Sequence, residues 1–121
     1  MIVAGVGYRT GADVSSLRAA LALAQAGHPP VTALAAPADK IARLQPLAEA
    51  LAVPLIALTP AGLRASATPT QSAASIAARG TGSVAEAAAL AAAGEGARLI
   101  SPRHVSPDRM ATCAIAQGLS R

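Results

Sequence analysis

The sequence predicts an α/β fold, a three-layer α/β/α sandwich around a mixed, about five-stranded sheet. Three observations predict it. Short apolar runs of strand length alternate with stretches of helical composition. Gly and Pro clusters mark the junctions between them. A chain of 121 residues has room for one domain, 1–121, with one hydrophobic centre.

Ile2 to Val6 is a short apolar run closed by Gly5 and Gly7, which suits a buried first strand leading into a turn at Tyr8-Arg9-Thr10-Gly11. Asp13 or Ser15 caps a helix over about 14–26, where Val14, Leu17, Leu21 and Ala24 share one face; Gly27-His28-Pro29-Pro30 stops it. Val31 to Ala35 reads as the second strand, being β-branched at its start. A helical stretch runs from Pro37 and Asp39 to Leu51, and Pro46 inside it predicts a kink or two short helices near Gln45. Pro54 to Leu58 is the third strand, and Thr59 to Arg64 holds one helical turn.

Ala65 to Thr70 is a Ser/Thr/Pro connector, and Gln71 to Ala78 is helical by composition. Ser83-Val84-Ala85-Glu86 matches a capping box and starts a helix over 84–93, closed by Gly94 and Gly96. Leu99-Ile100 marks a fourth strand. After a loop from Pro102 to Arg109, Met110 to Ala116 forms a fifth, paired with the fourth as an antiparallel hairpin.

Composition excludes several function classes. The chain holds 34 alanines and Tyr8 as its single aromatic, so it cannot offer the stacked rings by which proteins read single-stranded nucleic acid. The net charge of +4 favours an anionic partner, yet nine scattered arginines form no basic run, and no nucleic-acid partner is expected. Cys113 alone makes no internal disulfide, and no signal peptide or membrane span is expected; a cytoplasmic location without membrane contact follows. No HxxH, CxxC, HExxH or GxSxG pattern occurs, so neither metal nor cofactor is expected and no residue is assigned a catalytic role.

Three segments are candidates for ligand contact. Gly5-Val6-Gly7-Tyr8-Arg9-Thr10 lies between strand and helix, where close backbone approach and helical amides suit a phosphate or carboxylate; a tight turn is the other reading. Thr81-Gly82-Ser83, with Glu86, repeats the arrangement at a second helix start, where capping alone also accounts for the residues. Arg103 and His104 sit in the expected 102–109 loop, with Arg109 at its far end, where a guanidinium suits a carboxylate bidentately; solvated loop charge is the alternative.

Val3-Ala4-Gly5-Val6-Gly7-Tyr8-Arg9, Gly80-Thr81-Gly82-Ser83-Val84-Ala85-Glu86-Ala87-Ala88-Ala89-Leu90 and Thr112-Cys113-Ala114-Ile115-Ala116 together resemble the cobalamin-biosynthesis CobE family, itself similar to the C-terminal domain of CbiG. The likeness spans essentially the whole chain, and the middle motif is the most specific. The resemblance implies a role in corrin-ring construction, whose intermediates carry many acetate and propionate groups. An anionic precorrin or corrin is the implied ligand, with other cobalamin-pathway enzymes as further partners. In the family, full CbiG opens a lactone on a cobalt-containing precorrin with the help of an added N-terminal region for which 121 residues leave no room. The expectation is therefore a binder, with Gly5, Gly7, Arg9, Thr81, Ser83 and Glu86 in its site. A small precorrin-lactone hydrolase and a pathway scaffold are the alternatives.

Overall fold

The computed structural model describes residues 1–64 and 83–118. The expected connector at 65–70, the helix at 71–78 and the positions Thr81 and Gly82 lie outside the described residues.

Strand β1 (Ile2–Tyr8) is the central strand, apolar on both faces because both are covered. Helix α1 (Val14–Gln25) starts at Asp13, whose side chain accepts a hydrogen bond from the Ser16 amide at 3.1 Å; this selects Asp13 over Ser15 as the cap. Strand β2 (Ala33–Pro37) follows, then a 3-10 turn (Ile41–Leu44) that runs directly into α2 (Gln45–Leu51). The expected break near Gln45 is thus present, and its cause is Pro46 in the first turn of α2, where a missing N–H costs no internal bond. Strand β3 (Leu55–Leu58) and the short helix α3 (Pro60–Arg64) complete the first half. In the second half, α4 (Val84–Ala93) leads to the strands β4 (Arg98–Val105) and β5 (Ala111–Gln117).

The sheet order is β3-β2-β1-β5-β4. β1, β2 and β3 run parallel, whereas β5 is antiparallel to both β1 and β4, so the sheet is mixed as expected. Side chains alternate between two apolar layers. Ala4, Val6, Leu34, Cys113 and Ile115 pack on one side with Leu17 and Leu21 of α1 and Leu47 of α2. Val3, Ala33 and Ala35 pack on the other with Leu63 of α3 and with Ala87 and Ala88 of α4.

Helix α4 owes its position to small residues. A buried methyl group contributes only about 0.8 kcal/mol, so an alanine face gains little unless it lies very close to its partner. Gly5 permits that approach: a Cβ there would stand 2.0 Å from the Ala85 carbonyl oxygen and 2.5 Å from the Ala89 nitrogen. The helix rests on bare strand backbone.

Several boundaries differ from expectation. β1 runs on to Tyr8, where a turn was expected to begin, and Pro37, expected to open a helical stretch, ends β2, so that the helical residues start only at Ile41. Val31 and Thr32 precede β2 rather than opening it, because the parallel pairing with β1 begins at Ala33 opposite Val3. Thr32 instead ties its amide to the Ile2 carbonyl at 2.7 Å. Strand β4 is longer than Leu99-Ile100 and extends through Pro102 to Val105, which places Arg103 and His104 in the strand and not in a loop. Pro102 is tolerated because β4 lies at the sheet edge, and the register shifts on either side of Ser101 absorb its missing donor. The connection between β4 and β5 shrinks to a turn at 106–110.

Candidate functional site

At the C-terminal end of β1 the sheet extends past the first turn of α4 and leaves a cleft of about 360 Å³. Its floor is Gly7, Val84, Val105, Ala111 and Thr112; its rim carries Tyr8, Arg9, Arg103, Arg109 and Met110. Four segments therefore meet here: the end of β1, the start of α4, the end of β4 and the hairpin turn. Gly7 keeps the floor open, since a Cβ at that position would come within 2.9 Å of Thr112 Oγ1 and 3.7 Å of Val84.

Each of the three rim arginines is fixed through its backbone. The Arg9 amide donates to the Met110 carbonyl at 2.8 Å, joining the β1 turn to the hairpin. The Arg103 amide donates to Glu86 Oε2 at 3.0 Å. The Arg109 amide donates to the Ser106 carbonyl at 2.8 Å, and Arg109 itself is left-handed at φ 62°, a conformation uncommon for a residue with a side chain. Among the described residues none of the three guanidinium groups is paired with a carboxylate. Three guanidinium groups without a carboxylate partner make this part of the surface positive, and each has the planar donor fork that can take a carboxylate.

The hairpin turn is secured by an acid. Asp108 Oδ1 accepts from Ser106 Oγ at 2.5 Å and from the Met110 amide at 3.1 Å, and its Oδ2 accepts from Ser16 Oγ on α1. The Ser106 hydroxyl, followed by that of Ser16 and the Met110 amide, holds the Asp108 carboxyl below the usual carboxylate range. Asp13 is lowered likewise, first by the Ser15 hydroxyl and then by the Ser16 amide. The buried Ser16 thus bridges the cap of α1 to the turn that presents Arg109.

Tyr8 forms the side of the site nearest the 3-10 turn. Its hydroxyl donates to the Lys40 carbonyl at 2.6 Å, while Lys40 Nζ lies 4.7 Å and Arg43 Cζ 5.7 Å from the ring centroid. Arg43 also donates to the Ala12 carbonyl at 2.9 Å.

Of the residues singled out from sequence, Gly7, Tyr8, Arg9 and Arg103 line the cleft. Gly5 does not; it lies beneath α4 for the packing reason given above. Ser83 and Glu86 are buried behind the wall, with the Ser83 hydroxyl accepting from the Glu86 amide at 3.2 Å. Thr10 is exposed outside the lining. His104 places Nδ1 2.7 Å from the Pro102 carbonyl oxygen, away from the lining. Val84, Val105, Met110, Ala111 and Thr112 were not among the candidates, and Arg109 was named only as the far end of the 102–109 loop. Arg109 carried a sequence signal, a cation at the end of a Ser-Pro-Asp turn. Cys113 is buried, and burial pushes its thiol up to about 12. Among the described residues no helix is long and apolar enough to cross a membrane, and no group of three metal-ligating side chains occurs.

A family model described as "Cobalamin synthesis G C-terminus" matches residues 2–116. The chain is similar to the solved structure of CobE, a protein from the cobalamin (vitamin B12) biosynthetic pathway, at 33% identity and a TM-score of 0.88 over 100% of this chain and 92% of that one. It is also similar to the cobalamin biosynthesis protein chiG from Agrobacterium tumefaciens str. C58, at 35% identity and a TM-score of 0.73 over 99% and 100% of the two chains. A cobalamin biosynthesis protein G homolog from Sulfolobus solfataricus, 19% identical over 95% of this chain and 36% of its own, shares the fold at a TM-score of 0.70. No curated protein matches the chain.

Proposed function

The chain belongs to the family of the cobalamin synthesis G C-terminus, and from that premise we propose that it binds an anionic precorrin or corrin intermediate in the cleft at the end of β1. The observation that supports this reading best is the set of three guanidinium groups, Arg9, Arg103 and Arg109, on the rim of one cleft with no carboxylate partner among the described residues. Intermediates of corrin-ring construction are polycarboxylates, and a guanidinium fork matches a carboxylate in geometry as well as in charge. The aliphatic floor of Val84, Val105 and Ala111 supplies apolar contact for ring carbon.

Binding suits the lining better than hydrolysis. Its hydroxyls are already engaged, Tyr8 with the Lys40 carbonyl and Thr112 Oγ1 with the Gly7 carbonyl oxygen at 3.4 Å. The imidazole of His104 and the thiol of Cys113 lie away from the cleft.

Titrating the protein into a coloured polycarboxylate tetrapyrrole, and separately into its methyl ester, tests the reading by absorbance. The free acid should bind, and its affinity should fall as salt rises from low to physiological strength. Equal affinity for the ester would overturn the reading.

A further inference from the structure

The geometry points to recognition of the tetrapyrrole by one edge: the cleft takes the adjacent acetate and propionate arms of a single pyrrole unit, and the remainder of the macrocycle lies outside it. This inference rests on the binding reading above and specifies what that site holds.

Size is the first observation. At about 360 Å³ the cleft is at the lower end of the range for drug-sized ligands, ~300–1,000 Å³. It has room for one pyrrole unit and its two acid arms, whereas a tetrapyrrole with all its arms is several times larger. The second observation is the scarcity of aromatic rings on which the macrocycle plane could stack. Tyr8 is the single aromatic of the chain, and its ring already carries the Lys40 ammonium at 4.7 Å and the Arg43 guanidinium at 5.7 Å. A macrocycle laid face-on would have no aromatic shelf to stack upon.

The third observation is how the cations are held. Arg103 is anchored by Glu86 below the wall, and Arg109 by the turn that Asp108 and Ser16 secure. Each side chain springs from a separate fixed point of the backbone around one cleft, and each guanidinium can take one carboxylate bidentately. Two neighbouring acid arms on one pyrrole are the substituents such a pair of forks can hold together. Val84 and Val105 then meet the ring carbons between the arms.

The test compares a monopyrrole bearing one acetate and one propionate arm with the full polycarboxylate macrocycle, using the whole chain labelled with 15N. The monopyrrole should shift the Nε signals of Arg103 and Arg109 while leaving Arg18 and Arg98 unmoved, and it should displace the macrocycle competitively. Arg103→Ala should weaken both ligands by the same factor, about tenfold, because both use the same contacts. If the macrocycle binds with dependence on Arg103 and Arg109 but the monopyrrole neither shifts these signals nor competes, edge recognition is overturned while the binding reading stands. If neither ligand moves these signals in a protein whose melt is unchanged, both are overturned.

Discussion

Glu86 and Arg103 are 17 residues apart in sequence and meet through a backbone hydrogen bond of 3.0 Å, in which the Arg103 amide donates to Glu86 Oε2. The acid lies fully buried in the first turn of α4, at the positive end of the helix dipole, and the arginine on a bulged edge strand. One carboxyl group therefore sets the distance between the helix and the strand that form opposite sides of the cleft.

Replacing that acid separates geometry from charge. Glu86→Gln keeps an acceptor for the Arg103 amide and should retain the fold with a modest loss of stability. Glu86→Ala leaves the amide without its acceptor and opens a void, at a cost of about 1–3 kcal/mol for the amide before the void is counted. Denaturant unfolding of both variants checks this; equal stability of the two would show that the contact does not support β4.

Arg9→Ala should weaken binding of a polycarboxylate tetrapyrrole by roughly 1.5–3 kcal/mol, the range for a hydrogen bond to a charged group, with little change in melting temperature. Arg18, exposed on α1, is the matched control. Arg43 would be a poor control, because it contacts both the Tyr8 ring and the Ala12 carbonyl. Equal losses from Arg9→Ala and Arg18→Ala in a titration would mean that general charge, and not a site, attracts the ligand.

The Asp108 latch carries a pH dependence whose sign follows from its depressed pKa. The folded value lies below the ordinary aspartate value of 3.8, so the stabilisation is fully present above about that pH and is lost as pH falls through the lower folded value. Asp108→Asn should consequently melt at a lower temperature than the wild type at neutral pH, with the gap closing in strong acid. Melting curves between neutral pH and the acid limit measure the gap; a gap that stays constant would remove the charged latch from the account.

Gly5→Ala should be more damaging than any cleft substitution. The added methyl would stand 2.0 Å from the Ala85 carbonyl oxygen, and helix backbone cannot yield as a side-chain tip can. A loss of about 3 kcal/mol, the upper part of the usual overpacking range, is expected from denaturant unfolding. A neutral result would require α4 to shift off β1, which the chemical shifts of Val84 and Thr112 would reveal.

The strand and helix alternation was legible because it is local: Ser83 with Glu86 announced α4 to the residue, and Pro46 announced the break before α2. What was not legible depends on neighbours distant in sequence. Pro102 looks like a loop residue unless its strand is known to lie at the sheet edge, and Val31 looks like strand until the register with Val3 is fixed. The site followed the same division. Gly7 and Arg9, which line the cleft, were named from sequence because they close an apolar run, whereas Val84, Val105 and Thr112 look like ordinary core residues and join the cleft only through the pairing of β5 with β1 and β4 and the seat of α4 on β1. Gly5 was singled out for a ligand but serves the helix above it.

The seat of α4 on bare backbone has a thermodynamic consequence for association. Alanines and glycine have almost no rotamers to lose, so the α4–β1 seat that carries Val84 into the cleft is already as ordered before a ligand arrives as after. The entropic penalty of complex formation is therefore concentrated in the arginine arms, at about 0.5–1.5 kcal/mol for each one immobilised. Calorimetry on Arg103→Ala should show the lost favourable enthalpy partly offset by a gain in entropy, the signature of a rigid frame carrying a few loose levers.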